Sequence, residues 1–310
     1  MKTISRGRRR SFYIKLISLL TGVFVTQCSF GQLNDNPKLS PGLLNEIRST
    51  KIKDKLLLEV TITNDKIPAD IYEPVYQAKK IFESSTFSVY RLFATPEEIS
   101  AVFLQIPGII FIERGNRTPK EELQVGNLDL SVNKINLAHR NFPLINGDGI
   151  VVSVKENKPD TTDIDFKGRF LSTNLSSTTV NSHASIMSTM IGGGGNTWHL
   201  GKGAAWASTI SSSSFAVLLP DANSAYQQYN ISVQNHSYGV GVESYYGADA
   251  AAYDASAITN GSLLHIFSSG NSGASAATTG VYTGLNGFAN LTGSFKMAKN
   301  ILTVGATEAN

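Results

Sequence analysis

Ile150-Val151-Val152-Ser153-Val154 is a nearly continuous apolar run, and it ends at Lys155-Glu156-Asn157. Runs of this kind are typical of strands that are buried on both faces, as in parallel sheets. After Gly147-Asp148-Gly149, charged residues become rare and Gly, Ala and Ser become abundant, which favours helices packed closely on both faces of a sheet. The pattern predicts an α/β fold with Glu156 at the carboxyl end of a strand, where the active sites of such sheets lie.

A histidine opens the next informative segment, Asn181-Ser182-His183-Ala184-Ser185-Ile186-Met187-Ser188-Thr189-Met190, which has small and apolar residues at helical spacing. The positive end of a helix dipole disfavours a protonated imidazole, so a histidine at this position is suited to act as a general base. A single histidine in such a place is otherwise a structural residue. The order of residues along the chain favours the catalytic interpretation.

Glu156, His183 and an asparagine in Ser269-Gly270-Asn271-Ser272-Gly273 follow one another in that order. This order resembles that of the subtilisin-like serine proteases. Further similarities are Asn181-Ser182-His183, the Asn-x-Ser-x-Gly pattern of residues 235–239, and the run Asn300-Ile301-Leu302-Thr303-Val304-Gly305-Ala306. The resemblance covers about residues 130 to 310 and implies an exported serine endopeptidase with a subtilisin-like parallel sheet.

The resemblance implies a role for each of these residues. Glu156 would orient His183, His183 would act as the base, and the amide of Asn271 would donate to the oxyanion. Extended peptide would pair with the exposed edge of the strand that ends at residue 239, in the manner of β-augmentation. The expected substrate-binding residues are Ser237, Tyr238, Gly239, Ser269 and Gly270.

The sequence departs from the family pattern at several positions. Glu156 stands where the family has aspartate, Ile186 replaces a second histidine, and Trp206 replaces a proline. A Gly-Thr-Ser-x-Ala-x-Pro turn with the nucleophilic serine does not occur in the 310 residues. We therefore expect the serine to lie beyond Asn310, the parallel sheet to be incomplete, and this chain alone to hydrolyse no peptide. Ser275 follows Asn271 too closely to replace the missing serine.

Three aspartates, Asp160, Asp163 and Asp165, are rivals of Glu156 as the orienting acid. Each lies beyond the strand, so turn formation, helix capping or calcium ligation is the alternative role for them. Members of the family often bind calcium, but no ligand loop of recognisable spacing is present. No residues are therefore assigned to a metal site, and the sequence leaves open whether calcium is a cofactor.

The first third of the chain predicts export and a separate small domain. Basic residues precede the apolar stretch Leu16–Val25, which predicts a signal peptide over residues 1–31 that contains the only cysteine, Cys28. Residues 32–118 predict a small α+β domain of ferredoxin-like, split βαβ type, with strands over 56–63, 86–93 and 108–113, a helix over 72–82, and a helix capped by Thr95. By resemblance this domain is a pro-domain, an intramolecular inhibitor and folding chaperone that makes the protein a zymogen.

Residues 119–142 are predicted to be a linker, with the exposed basic stretch 116–120 open to a processing protease, and residues 143–310 the N-terminal part of the catalytic domain. The formal charge of +3 is small, and the positive charge is concentrated in the leader. The mature chain therefore has no excess of basic residues that would bind nucleic acid. The leader is too short to span a bilayer, and no transmembrane segment is expected. The expected location is therefore secreted or at the cell surface, and the expected partner is a peptide or protein substrate.

Two other functions compete with proteolysis. Because the serine is missing and Glu156, Ile186 and Trp206 depart from the family, a secreted, catalytically inactive protein that binds extended peptides is the main alternative. A β-rich adhesive exoprotein is disfavoured by the helix at His183 and by the absence of repeats.

Overall fold

The structure is a computed structural model that describes residues 36–49, 54–72, 74–122, 130–196, 198–278, 282–287 and 291–306. The chain divides into two compact units, one up to Asn116 and the other from Arg117 onward. The predicted signal peptide and Cys28 lie outside the described residues. Across the described ranges, no helix is long and apolar enough to cross a membrane.

The first unit is a four-stranded antiparallel sheet with two helices. Its helices are α1 (Pro41–Ser49) and α2 (Pro96–Ala101), and its strands are β1 (Leu56–Thr63), β2 (Lys79–Glu83), β3 (Phe87–Ala94) and β4 (Ile109–Arg114). The strand order is β2-β3-β1-β4. Alternate strand residues form one apolar core with the helices, which includes Leu43, Leu58, Val60, Ile62, Leu92, Ile99 and Ile112.

Two local predictions for this unit have different outcomes. The capping box of α2 is confirmed, because Thr95 Oγ1 accepts the N–H of Glu98 at 3.2 Å and Glu98 Oε2 accepts the N–H of Thr95 at 2.8 Å. The helix predicted over 72–82 is wrong, since a 3-10 turn ends at Tyr72 and residues 79–83 form β2. Pairing with β3 satisfies the backbone of this segment and places Phe82 against Phe87, with ring centroids 5.8 Å apart.

The second unit contains a six-stranded sheet in which every neighbouring pair is parallel. Its order is β12-β11-β9-β6-β8-β7, and β6 and β9 lie in the middle. These strands are β6 (Val151–Glu156), β7 (Phe170–Leu171), β8 (Thr209–Ser214), β9 (Ile231–His236), β11 (Leu264–Ser268) and β12 (Leu302–Val304). Among the described residues of this unit, four α-helices accompany the sheet: α3 (Ile135–Asn141), α4 (Ser182–Gly192), α5 (Asn223–Gln228) and α6 (Ala248–Thr259).

Helices cover both faces of this sheet, which confirms the predicted α/β fold class. On one face, α4 places Met187 and Ile191 against Val152 and Val154 of β6. On the other face, Tyr253 of α6 packs edge-on against side chains of β9 and β11. Successive strand residues point to opposite faces, so Glu156 lies on the same face of the sheet as α4.

The face under α6 is unusually polar. Lys155 Nζ donates to Asp221 Oδ1 at 2.7 Å, and Gln234 Nε2 donates to Asp221 Oδ2 at 2.8 Å. Beside them, His236 Nε2 and His265 Nδ1 lie 3.2 Å apart, and both imidazoles are fully buried. The ring of His236 stacks on Phe267.

A short two-stranded sheet lies beside the larger one. Strand β5 (Lys120–Glu121) pairs antiparallel with β10 (Tyr238–Gly239). The prediction that residues 116–120 are exposed is wrong at Arg117. Its side chain is only 6 % exposed, and Nη1 donates to Asp249 Oδ2 at 2.6 Å. This buried ion pair, together with β5, ties the start of the second unit to its core.

Candidate active site

Glu156 and His183 form a buried pair at the carboxyl end of β6. Asn181 caps α4 by accepting the N–H of His183 at 2.7 Å, which fixes the first turn of the helix over the strand end. Nδ1 of His183 is hydrogen-bonded to Oε2 of Glu156. Glu156 is fully buried and His183 is 4 % exposed, so the structure brings these two predicted residues together in the way that an orienting acid and a base require.

The charges around this pair set its protonation. Burial lowers the pKa of His183, but the hydrogen bond and charge of Glu156, with the charge of Glu121 and the backbone carbonyl of Glu122, outweigh it and leave that pKa raised. Burial raises the pKa of Glu156, while His183 opposes this. The pKa of His183 is therefore raised, in the direction opposite to that expected from the helix N-terminus, and the pKa of Glu156 is raised as well.

The second ring nitrogen of His183 is available for chemistry. Within the described ranges, Nε2 is buried and no side chain is hydrogen-bonded to it. An imidazole that is held at Nδ1 by a carboxylate and is unbonded at Nε2 can take a proton from a hydroxyl nucleophile.

The three aspartates that the sequence offered as alternatives to Glu156 make local hydrogen bonds instead. Asp160 Oδ1 accepts from the N–H and the hydroxyl of Thr162, and Asp163 caps the 3-10 turn Ile164–Phe166. Asp165 is buried and accepts the N–H of Asn196. Turn formation and capping, the alternatives that the sequence left open, describe Asp160 and Asp163.

The edge expected to bind peptide is occupied by the chain itself. Residues 120–121 pair with residues 238–239, and the N–H of Glu122 donates to the carbonyl of Ser237 at 3.0 Å. The ring of Tyr238 packs in the core against Phe295, so only the backbone of Tyr238 faces this segment. Ser237 and Gly239 therefore lie beside an extended segment of the chain itself, whereas the side chain of Tyr238 points into the core.

Two of the predicted residues after β11 lie beside β12 and Thr292. The N–H of Ser269 donates to the carbonyl of Val304 at 2.8 Å. Gly270 has a φ of +111°, and a Cβ there would lie 2.2 Å from Thr292 Oγ1, which only glycine permits. Asn271 is exposed in the turn that follows. Ser275 is exposed as well.

Sequence reasoning missed three residues of this region. Glu121 and Glu122 contribute to the electrostatics of His183. Lys296, which is 3 % exposed, donates from Nζ to Glu122 Oε2 at 2.7 Å. The sequence signal for this pair is weak, because Lys296 lies among small and apolar residues with a second lysine, Lys299, three positions later.

An open apolar cavity lies beside α4. Its volume is about 540 Å³, and it exposes Met187, Met190 and Ile191 of α4 opposite Ile266 of β11 and Val304 of β12. Asn235, Ser237 and Ser268 supply polar groups at its wall. Within each unit's described residues taken alone, no three His, Cys, Asp or Glu ligand atoms are close enough together to hold a metal ion.

No protein-family model matches the chain, and no curated protein matches it in sequence. Solved structures with a similar fold include fervidolysin from Fervidobacterium pennivorans, a keratinolytic enzyme related to subtilisin. It is 16 % identical with a TM-score of 0.47, over 70 % of this chain and 40 % of that one. The epidermin leader peptide processing serine protease of Staphylococcus aureus is 13 % identical with a TM-score of 0.46, over 71 % and 61 %.

The CspB protease of Clostridium perfringens is also similar. It is 14 % identical with a TM-score of 0.35, over 49 % of this chain and 41 % of that one. The present chain therefore spans less than two thirds of the length of each of these three proteins.

Proposed function

We propose that the protein is an exported serine-type endopeptidase of the subtilisin type. In this proposal His183 is the general base, Glu156 orients it, and Asn271 donates to the oxyanion. The nucleophilic serine is supplied by a segment outside these 310 residues. Residues 32–118 serve as the pro-domain and inhibitor of a zymogen, which is processed after export.

One observation carries the proposal, namely that an extended peptide segment passes directly beside a buried acid–histidine pair. The segment is held by main-chain pairing to β10, and the carbonyl of Glu122 influences the ring of His183. Main-chain pairing fixes a substrate backbone without regard to its sequence. A carbonyl held next to a base is the arrangement that acyl transfer needs.

The apolar cavity beside α4 is evidence that a further segment of the protein packs there. Three apolar side chains of α4 face side chains of β11 and β12 across it. A helix that carried the serine would bury these side chains and bring a hydroxyl toward Nε2 of His183. Apolar patches left open to water favour association, so the 310-residue chain is expected to aggregate.

The test uses the protein translated from the complete reading frame. Casein hydrolysis and labelling by a fluorophosphonate should both be present, and His183→Ala should reduce kcat by about 10⁴-fold or more. His199→Ala changes an exposed histidine of the same unit and is the matched control. Full-length protein without hydrolysis, or hydrolysis that His183→Ala leaves intact, would overturn the proposal.

A second candidate function is peptide binding without cleavage. The peptide edge and the charged pocket around Glu122 are complete within this chain, whereas among its described residues no serine contacts Nε2 of His183. Absence of fluorophosphonate labelling, combined with retained binding of substrate-like peptides by the full-length protein, would favour this function.

A further inference from the structure

The side chain of Glu122 occupies a pocket of its own. Along an extended segment, side chains alternate between two sides. Glu121 turns toward the end of β6, where its Oε1 accepts from Asn157 Nδ2 at 3.0 Å. Glu122 turns the opposite way, toward Ser268, Thr292 and Lys296. The two adjacent glutamates therefore have separate surroundings.

Three donors bind the carboxylate of Glu122. Oε2 accepts from Lys296 Nζ at 2.7 Å and from Ser268 Oγ at 3.0 Å, and Oε1 accepts from the hydroxyl of Thr292. Lys296 Nζ also donates to Thr292 Oγ1 at 2.7 Å, which orients that hydroxyl toward the carboxylate. Each carboxylate oxygen is thus satisfied, and one of its partners is charged.

The pocket has little room to spare. A Cβ on Gly239 would lie 2.1 Å from Glu122 Oε1, and a Cβ on Gly270 would lie 2.2 Å from Thr292 Oγ1. The two glycines that the sequence suggested as substrate-binding residues are therefore the positions where the wall must lack a side chain. Aspartate, which is one methylene shorter, would leave its carboxylate short of Lys296 while its backbone stays paired.

Charge decides which side chain the pocket accepts. The side chain of Lys296 is fully buried and that of Glu122 is 10 % exposed. A buried ammonium is costly unless a carboxylate pairs with it. In this pocket a glutamate satisfies the ammonium, whereas glutamine, leucine or lysine would leave it without its counter-ion.

We propose that this pocket is the primary specificity pocket, that Lys296 is its specificity-determining residue, and that the protein cleaves peptides after glutamate. The inference rests on the proposed endopeptidase function. In this chain, the peptide bond that follows Glu122 joins it to Leu123. Overall, water is added across that bond. The serine attacks the main-chain carbonyl of Glu122 and gives its proton through His183 to the departing amine of Leu123. Water then hydrolyses the acyl-enzyme, which releases the new main-chain carboxylate of Glu122 and restores the serine hydroxyl.

The first part of the experiment follows processing of the full-length protein. Mass spectrometry of the mature protein should find a new N-terminus at Leu123, and Glu122→Gln should slow its appearance by about 10²-fold, because glutamine does not neutralise Lys296. The second part uses internally quenched peptides that differ only in the residue before the cleaved bond: Glu, Gln, Asp, Leu or Lys. Glu should exceed each of the others in kcat/KM, and should exceed Gln by about 10²-fold.

Variants at position 296 make the assignment specific. Lys296→Met should reduce the ratio of kcat/KM for Glu over Gln to below about 10, while Lys299→Met, at an exposed lysine nearby, should leave it unchanged. Cleavage of the Gln and Leu peptides as fast as the Glu peptide by the wild-type protein would overturn the inference and leave the endopeptidase proposal standing. Failure to cleave any peptide would overturn the endopeptidase proposal itself.

Discussion

Acid should unfold the second unit through its buried histidine pair. Burial and the nearby charge of Lys155, opposed by the charge of Asp221, lower the pKa of His265 to about 3. Burial, with His265, Lys155 and Lys296, also holds the pKa of His236 well below its usual range. Both rings are therefore neutral in the folded protein at pH values where the unfolded chain already binds protons.

The sign and size of the effect follow from these pKa shifts. The unfolded pKa of histidine is about 6.5, so the stabilising contribution is fully present above pH 6.5 and is lost as the pH falls toward 3. Each unit of pKa difference corresponds to about 1.36 kcal/mol. Between pH 6 and pH 4, His265 alone should remove about 2–3 kcal/mol from the free energy of unfolding, and His236 should add a loss in the same direction.

Urea unfolding followed by tryptophan fluorescence measures this loss, because both tryptophans, Trp198 and Trp206, lie in the second unit. His265→Gln retains a polar group but cannot be protonated, so it should flatten the dependence of unfolding free energy on pH by about 1 kcal/mol per pH unit. His199→Gln, at an exposed histidine of the same unit, is the matched control. A His265→Gln protein that keeps the wild-type slope would refute the reasoning.

Three further substitutions test other parts of the second unit. Glu156→Gln keeps the shape of the side chain but removes the charge that orients His183, so kcat should fall about 10⁴-fold; a fall below tenfold contradicts that role. Asn271→Ala should lower kcat by about 10²- to 10³-fold with KM unchanged in steady-state assays, because an oxyanion donor acts in the transition state. In the unprocessed protein, Arg117→Met leaves the buried carboxylate of Asp249 without its ion-pair partner and should cost about 3–5 kcal/mol in urea unfolding, whereas a loss under about 1 kcal/mol would show that the pair is not needed.

The parts of the fold that the sequence predicts are those whose pattern lies within one element. The apolar run before Glu156 forms β6, the central partner of β8 and β9, and the stretch after Asn181 forms α4. Their chain order then brings Glu156 and His183 together, because α4 packs on the face of the sheet to which Glu156 points. The local sequence pattern, combined with a parallel sheet, is therefore sufficient to predict that these two side chains meet.

The helix expected over 72–82 shows where local pattern fails. Its apolar residues fit helical spacing, but the segment gains more from pairing along β3, which supplies partners for its backbone that are distant in sequence. Tertiary context overrides a weak propensity of this kind. The same limit applies to Arg117, which looked exposed because its partner Asp249 follows 132 residues later.

Glu121 and Glu122 show the limit most clearly, because they are identical neighbours with opposite surroundings. Because side chains alternate along an extended segment, Glu121 of β5 turns toward Asn157, and Glu122, the next residue, turns toward Lys296, 174 residues further along the chain. Shifting the pairing of β5 with β10 by one residue would exchange the two side chains, so the chemistry of the pocket depends on register alone. Composition and motif spacing contain no information about that register. A glutamate-specific pocket can therefore be proposed only once the pairing of residues 120–122 with residues 237–239 is known.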